Sequence, residues 1–301
     1  MQMPSVAIGA IAAVVASALF SAGLVLQAVE SRQVDPRHSL HLSLIGSLMC
    51  RPRFLLGTAL TQVGFGFHVT ALLLAPLTVV QPALSAGLLV LLVIAARTPD
   101  QEVGALEVGA VIAIAAGVVG VTLTAPERVP LEGERAALVA ALAVLAGCTL
   151  VPYALARLGA GRARSVGALT TFGAGAAYAF SGLTTNLASD KLAEGNWLGA
   201  LAWLVVTGVV SGLGFLSQLT ALQCRTAAQV GPVIYVMPVL IPVLIAPLVG
   251  GSGWGSTPLG GSALASFLLV VSAGTAVLAA SSAIHPKVRP RADCGLRSAQ
   301  P

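Results

Sequence analysis

Charged residues are scarce in this chain. They make up 9% of its 301 residues, whereas hydrophobic residues make up 56%. A typical soluble domain carries about 25% charged residues. Since a compact soluble domain still exposes a large area, a soluble chain of this length could not hide so much apolar surface. The composition therefore excludes an ordinary soluble protein and predicts an integral membrane protein whose main partner is the lipid bilayer.

Cysteine is sparse as well, and catalytic motifs are missing. The four cysteines are far apart and form neither a CxxC motif nor a Cys/His cluster, which argues against a zinc site or a disulfide framework. The chain contains no HExxH or GxSxG sequence, and Gly173-Ala174-Gly175 lacks the lysine of a phosphate-binding loop. We therefore expect no enzyme activity, no cofactor and no coupling to ATP in this chain. A lipid-modifying intramembrane enzyme would need a clustered acid, base or metal set that the sequence does not offer.

Long apolar runs are what the chain has instead. A helix needs about 20 apolar residues to cross the hydrocarbon core of a bilayer. Runs such as Ala105–Thr124 are continuous rather than alternating, which excludes a transmembrane β-barrel. The sequence predicts nine transmembrane helices, over residues 5–29, 54–75, 78–97, 104–125, 136–157, 165–188, 198–222, 228–249 and 261–283.

Lysine and arginine predict the orientation of these helices. The formal net charge is +5, but no basic run is interleaved with aromatic residues, so nucleic acid is not expected as a partner. With nine spans, three basic residues fall on one side of the membrane: Arg128, Arg135 and Lys191. The other side collects Arg32, Arg37, Arg51, Arg53, Arg97, Arg157, Arg162, Arg164, Arg225, Lys287, Arg289, Arg291 and Arg297. Cytoplasmic loops are enriched in Lys and Arg. The protein is therefore predicted to lie in the cell membrane with its N-terminus outside the cell and its C-terminus in the cytoplasm.

Three segments around the spans have their own predicted character. The first apolar run lacks a basic start and is too long for a signal peptide, so it is predicted to be a retained helix. The loop over residues 30–53 has an apolar middle, residues 40–49, that is predicted to lie along the membrane interface. Residues 284–301 form a basic cytoplasmic tail that is predicted to be disordered.

Two distant parts of the chain resemble each other. One segment begins at Gly64 and reads GFGFHVTALLLAPLTVVQP; the other begins at Gly214 and reads GFLSQLTALQCRTAAQVGP. When the two are aligned at an offset of 150, seven positions carry the same residue. The second and seventh helices are thus counterparts. Five spans separate them, so the two copies enter the membrane from opposite sides, which is the layout of many secondary transporters. The predicted fold is an all-α membrane protein, an inverted-repeat bundle with a first repeat over 1–157 (helices 1–5) and a second over 158–283 (helices 6–9).

The same residues resemble the drug/metabolite transporter superfamily, and within it NIPA-type magnesium transporters and EamA-like transporters. In the second half the similarity is carried by Gln218-Leu219-Thr220-Ala221-Leu222, Thr226 and Val230-Gly231-Pro232-Val233-Ile234-Tyr235-Val236. In the first half it is carried by Ala71-Leu72, Ala75-Pro76, Val80-Gln81-Pro82 and the segment from Glu102 to Glu127. The resemblance implies a transporter of a small solute or ion that works by alternating access, with magnesium or another divalent cation among its candidate cargoes. The alternatives are a small neutral or zwitterionic metabolite, and an integral membrane subunit that does not transport; the oligomeric state, including a homodimer, stays open.

Polar groups inside a bilayer are costly, so they usually face a cavity or a partner helix. The predicted substrate-binding residues are His68, Gln81, Pro82, Asn186, Gln218, Pro232 and Tyr235, with no metal ligand assigned. His68 and Gln218 are equivalent in the repeat and could line one central cavity, and His68 could take part in proton coupling. A neutral histidine bonded to a neighbouring helix is the structural alternative. Gln27, Gln62, Tyr178 and Gln229 are further polar candidates.

Proline and acidic residues complete the set of candidates. Gln81-Pro82 and Gly231-Pro232 are predicted to begin the third and eighth helices, where proline is tolerated. Carbonyls that proline leaves without an amide partner could face a substrate, or the eighth helix is simply kinked. Glu30 and Asp190 are predicted to be solvated charges at helix ends, one at each membrane face; the alternative is that they attract cations at two entrances. Glu107 is predicted to stabilise a helix start.

Overall fold

The computed structural model describes residues 3–75, 77–97, 104–124, 135–158, 163–249 and 258–281. These residues form helices joined by short turns, with no strand among them. The helices are α1 (Met3–Ser31), α2 (Leu42–Met49), α3 (Pro52–Leu74), α4 (Leu77–Ala96), α5 (Ala105–Thr124), α6 (Arg135–Arg157), α7 (Ala163–Ala193), α8 (Trp197–Cys224), α9 (Ala227–Val249) and α10 (Ser262–Ala280). The predicted helical class is confirmed.

Seven helices are long and apolar enough to cross a bilayer. They cover Ser5–Ser31, Pro52–Leu74, Ala105–Thr124, Ala136–Arg157, Trp197–Cys224, Ala227–Ile245 and Leu259–Ala280. Two further long helices, α4 and α7, coincide with predicted spans; the apolar part described in α4 is Ala83–Ile94, and α7 is rich in serine and threonine. The apolar helices indicate a membrane-embedded protein.

The surface of the bundle carries large apolar side chains. Leu73 and Leu198 are 78% and 82% exposed, and Trp197 and Ile11 also face outward. A soluble monomer rarely exposes contiguous apolar patches of more than a few hundred Å². Hydrocarbon tails can cover these side chains at no such cost, which accounts for the scarcity of charge in the sequence.

The loop between α1 and α3 contains the short helix α2. Leu44 and Leu48 on one face are fully buried and pack with Phe54, Leu216 and Leu219 of the bundle. Leu42 on another face of α2 is 78% exposed. The apolar middle of the loop is therefore a helix docked on α3 and α8, and its position along a membrane interface stays a prediction.

Two antiparallel helix pairs have closely similar packing. In the pair α1–α3, a Cβ on Gly64 would lie 3.2 Å from the Ala16 carbonyl oxygen and 3.1 Å from Phe20 Cδ1. In the pair α7–α8, a Cβ on Gly214 would lie 2.7 Å from Ala177 Cβ. Glycine is needed at both positions because it lets the backbones of the paired helices approach closely. A third close pair, α5–α10, packs through Gly117 and Gly274.

One end of the bundle, which we call the Arg32 end, is defined by contacts between helix termini. Arg32 follows α1, and its Nη2 donates to the carbonyl oxygen of Arg225, which follows α8, at 2.9 Å. Arg225 in turn donates to the Ala279 carbonyl near the end of α10 and lies against Gly167 near the start of α7. Hence α1, α8 and α10 end here, whereas α7 begins here. We call the opposite end the Gly9 end, where Gly9 of α1 packs on Ala75.

Two local expectations need correction, and a third lies outside the described residues. Pro82 and Pro232 do not begin their helices: α4 starts at Leu77 and α9 at Ala227, so each proline lies in the second turn. The reason is that apolar residues before each proline continue the helix toward its N-terminus. Cys50 and Cys148 are free thiols, but Cys224 is disulfide-bonded, although the spacing of the cysteines argued against disulfides. The predicted tail, residues 284–301, lies outside the described residues.

Candidate functional site

A chain of polar side chains crosses the interior between α1, α7 and α8. The Gln218 amide oxygen accepts a hydrogen bond from the Tyr178 hydroxyl at 2.7 Å. Its Nε2 donates to Gln27 Oε1 at 3.0 Å. Gln27 and Gln218 are 2% and 6% exposed. We call these three residues the Gln27–Gln218–Tyr178 cluster.

The cluster is a set of neutral groups that can both donate and accept hydrogen bonds. Each amide has two N–H donors and a carbonyl acceptor, and the phenol has one donor and an acceptor oxygen. An unpaired polar group in an apolar interior costs about 1–3 kcal/mol, so the pairing makes these groups tolerable there. The same groups can exchange these bonds for bonds to a bound polar solute.

Tyr235 and Pro232 lie on α9, a helix that packs against α7 and α1. Tyr178 and Tyr235 pack against the same hydrophobic core. A Cβ on Gly231 would lie 3.6 Å from the Tyr235 ring. Pro232 lines a small apolar pocket between α4, α5, α9 and α10, together with Leu88, Leu91, Leu92, Val111, Ala228 and Leu278. Because proline has no N–H, the Ala228 carbonyl receives no helical bond from residue 232.

His68 lies elsewhere. It is half-buried on α3, with its ring 6.4 Å from that of Phe20 and 6.5 Å from that of Phe65. Its buried Nδ1 has no hydrogen-bond partner among the described residues. The structure does not bring His68 together with Gln218: the His68 ring lies beside Phe20, about 10 Å along α1 from Gln27 at 1.5 Å per residue. The two repeat-equivalent residues occupy different depths and different surroundings.

The remaining predicted site residues divide into two groups. Gln81 and Pro82 belong to α4, and their side chains lie outside the described part of the chain. Asn186 is exposed on α7, two turns after Tyr178, and is not part of the cluster. The prediction thus included Gln218 and Tyr235, while the direct partners Gln27 and Tyr178 stood only among the further polar candidates.

A second set of hydrogen-bonded polar side chains lies at the Arg32 end. Glu107 is 3% exposed, and its Oε2 accepts a hydrogen bond from the Gly104 amide at 2.9 Å, which confirms its role at the start of α5. Its Oε1 accepts a bond from the Ser281 hydroxyl at 2.5 Å. The carbonyl of Ser281 accepts a bond from Gln229 Nε2 at 2.8 Å. Sequence reasoning did not find this link, because nothing in the sequence indicates that the end of α10 meets the start of α5.

Two arginines extend this group toward α8. Arg32 Nε donates to the Leu222 carbonyl at 3.3 Å, in addition to its bond to the carbonyl of Arg225. Burial lowers the pKa of both guanidinium groups from their usual range. Both remain charged at neutral pH, because arginine does not deprotonate in proteins. From the sequence alone, Arg32 and Arg225 indicate only the orientation of the helices.

The two helix-end acids behave differently. Glu30 was predicted to be a solvated charge, but it is 5% exposed, and its Oε2 accepts a bond from Arg51 Nη1 at 2.9 Å. That prediction is wrong because the loop carrying α2 folds back and brings Arg51 to the end of α1. Asp190 is exposed, as predicted.

Metal-ligating side chains do not gather in the described regions: no group of three His, Cys, Asp or Glu residues lies close enough there to hold an ion. Comparison with family models, curated proteins and solved structures finds no match for this chain. The site must therefore be interpreted from its own residues.

Proposed function

We propose that this chain is a membrane transporter of the drug/metabolite type that moves a small polar solute by alternating access. Nine spans form two repeats of opposite orientation, with the N-terminus outside the cell and the C-terminus in the cytoplasm. The observation that carries the proposal is the Gln27–Gln218–Tyr178 cluster, buried where α1 of one repeat meets α7 and α8 of the other.

The register of helix packing supports two related halves. The sequence pairs α3 with α8 at an offset of 150, and it pairs α1 with α7 at an offset of 160 through Phe20-Ser21 and Phe180-Ser181. Gly64 contacts Ala16, so these offsets predict that Gly214 contacts residue 176; in the structure Gly214 packs on Ala177. The contact of Gly9 with Ala75 predicts one of residue 169 with Arg225, and Gly167 packs there. The contacts agree within one or two residues.

The directions of the helices support the opposite orientation of the halves. α1 ends at the Arg32 end, while its counterpart α7 begins there. Likewise α3 runs away from this end and α8 runs toward it. Two halves related in this way can present a shared site to either side of a membrane in turn.

The chemistry of the cluster favours an uncharged or zwitterionic metabolite as cargo. Amides and phenols bind neutral donors and acceptors, whereas magnesium usually meets one or two carboxylates. The buried carboxylates Glu30 and Glu107 already bond to Arg51 and to Ser281, respectively, near the Arg32 end. Magnesium remains the competing cargo in the test.

Reconstitution in proteoliposomes tests the proposal. Uptake of labelled neutral and zwitterionic metabolites and of magnesium is measured with and without a proton gradient. We expect one solute class to be transported, and Gln218→Leu to reduce its uptake at least tenfold. Gln62→Leu is the matched control, because Gln62 is exposed on α3. Absence of uptake for every class, or equal uptake by the Gln218 variant, would contradict the proposal.

A further inference from the structure

A set of hydrogen bonds joins the two halves near the Arg32 end of the bundle. When the chain is divided after residue 157, the described residues of the first half bond to the last part of α8 and the residue after it, 213–225, and to Ser281. The first-half partners include Gln27, Arg32, Glu107 and Tyr153. All these bonds lie in the half of the bundle nearer the Arg32 end.

The contacts toward the Gly9 end have a different character. There Ala12, Ala13, Ala71, Ala75 and Val80 form a small apolar cluster within the first half. Across the two halves, Gly117 and Gly120 of α5 pack on Val271 and Phe267 of α10 through apolar contacts. Hydrogen bonds between described side chains farther from the Arg32 end, such as Thr184 to Thr207 and Ser181 to Ser211, join helices of the same half. Apolar contacts carry no directional preference, whereas charge-assisted hydrogen bonds fix the geometry of their partners and are roughly twice as strong as neutral ones.

We propose that the bonds of Arg32 and Glu107 form a gate that holds the halves together on the Arg32 side of the cluster. This inference rests on the proposed function, in which the halves move relative to each other. Arg32 bridges the end of α1 to α8, and Glu107 bridges the start of α5 to the end of α10. Opening toward this side requires both links to break, and the Gly9 end then closes.

The loop carrying α2 strengthens the gate from the first half. The Leu40 amide donates to Thr220 Oγ1 at 3.0 Å, and the Ser39 hydroxyl donates to Gln223 Oε1 at 2.8 Å. Leu40 has a positive φ of 58°, a backbone conformation that is uncommon outside glycine. The loop therefore adopts an unfavourable local geometry in which it bonds to α8, and it must release α8 when the gate opens.

Hydrogen–deuterium exchange on the full chain in nanodiscs tests this gate. The variants Arg32→Ala and Ser281→Ala remove its two links, and Thr207→Val is the control because it removes a bond inside one half. We expect both gate variants to exchange at least tenfold faster in peptides over 26–34 and 218–230. We also expect slower exchange at the Gly9 end, in peptides over 5–15 and 68–75, whereas the control changes neither region.

Slower exchange at the Gly9 end distinguishes a gate from local fraying, because local loosening at the Arg32 end would leave exchange at the Gly9 end unchanged. Faster exchange at the Arg32 end alone, or no change in either region, would overturn the inference. If Arg32→Ala does not fold, Ser281→Ala decides, because it deletes one hydroxyl. If exchange becomes faster at the Arg32 end and slower at the Gly9 end, but no solute is taken up, the gate is supported and the transport function is rejected. Uptake by the wild-type chain with only local loosening in the variants would reject the gate and keep the transporter.

Discussion

The helix pairs α1–α3 and α7–α8 share a geometry but differ in chemistry. Both pack antiparallel through a glycine of the second helix, Gly64 or Gly214, and the predicted repeat makes these two positions equivalent. The second pair is additionally joined by hydrogen bonds from Tyr178 to Gln218 and between Thr184 and Thr207. At the position of Gln218, the first pair has His68 among aromatic rings. Close backbone approach thus defines the shared architecture, while polar substitution makes one pair the candidate site.

The largest expected effect comes from the two packing glycines. Gly64→Leu and Gly214→Leu each place a large side chain where a Cβ already crowds the neighbouring helix. We expect a loss of about 3 kcal/mol or more in the free energy of unfolding, at the upper end of overpacking costs. SDS titration of the micelle-solubilised protein, followed by circular dichroism, measures it. Gly66→Leu and Gly212→Leu are the controls, since nothing lies within 4 Å of a Cβ there. Equal effects of test and control variants would show that the two pairs do not depend on close approach.

Replacing the equivalent residues His68 and Gln218 by leucine sharpens the chemical difference. Gln218→Leu leaves Tyr178 and Gln27 without their partner, so we expect a loss of about 2 kcal/mol. His68→Leu removes a half-buried ring with an unpaired nitrogen, and we expect a change within about 1 kcal/mol. The same unfolding assay measures both. A larger loss at His68 would reverse our assignment of the polar site to the second pair.

The helix-end acids Glu30 and Asp190 provide a third comparison. Glu30→Ala deletes the buried acceptor of Arg51, and we expect a loss of about 1–2 kcal/mol, because Arg51 can regain contact with water. Asp190→Ala changes an exposed charge and is expected to stay within about 0.5 kcal/mol. Thermal unfolding of the two variants in the same detergent compares them. Similar values would mean that the fold of the α2 loop does not depend on the ion pair.

The smallest expected effect is the coupling between Thr184 and Thr207. Their hydroxyl groups lie 2.7 Å apart, but hydrogen bonds between membrane helices average only about 0.6 kcal/mol in double-mutant cycles. A cycle of Thr184→Val, Thr207→Val and the double variant should give a coupling near that value. A coupling near zero would mean that the bond between Thr184 and Thr207 adds nothing to the stability of the second pair.

The sequence by itself determined the helical membrane class, because apolar runs of about 20 residues leave few other choices. Each predicted span has a helix at its position, and the repeat registers Gly64 with Gly214 before any contact is known. Only the tertiary structure decided which polar groups meet. Gln27 and Gln218 are 191 residues apart, and Glu107 and Ser281 are 174 apart. Such pairings depend on how each helix is rotated about its axis and how deep it lies in the bundle. Packing against neighbouring helices sets both, and a nearly uniform apolar sequence does not encode them locally.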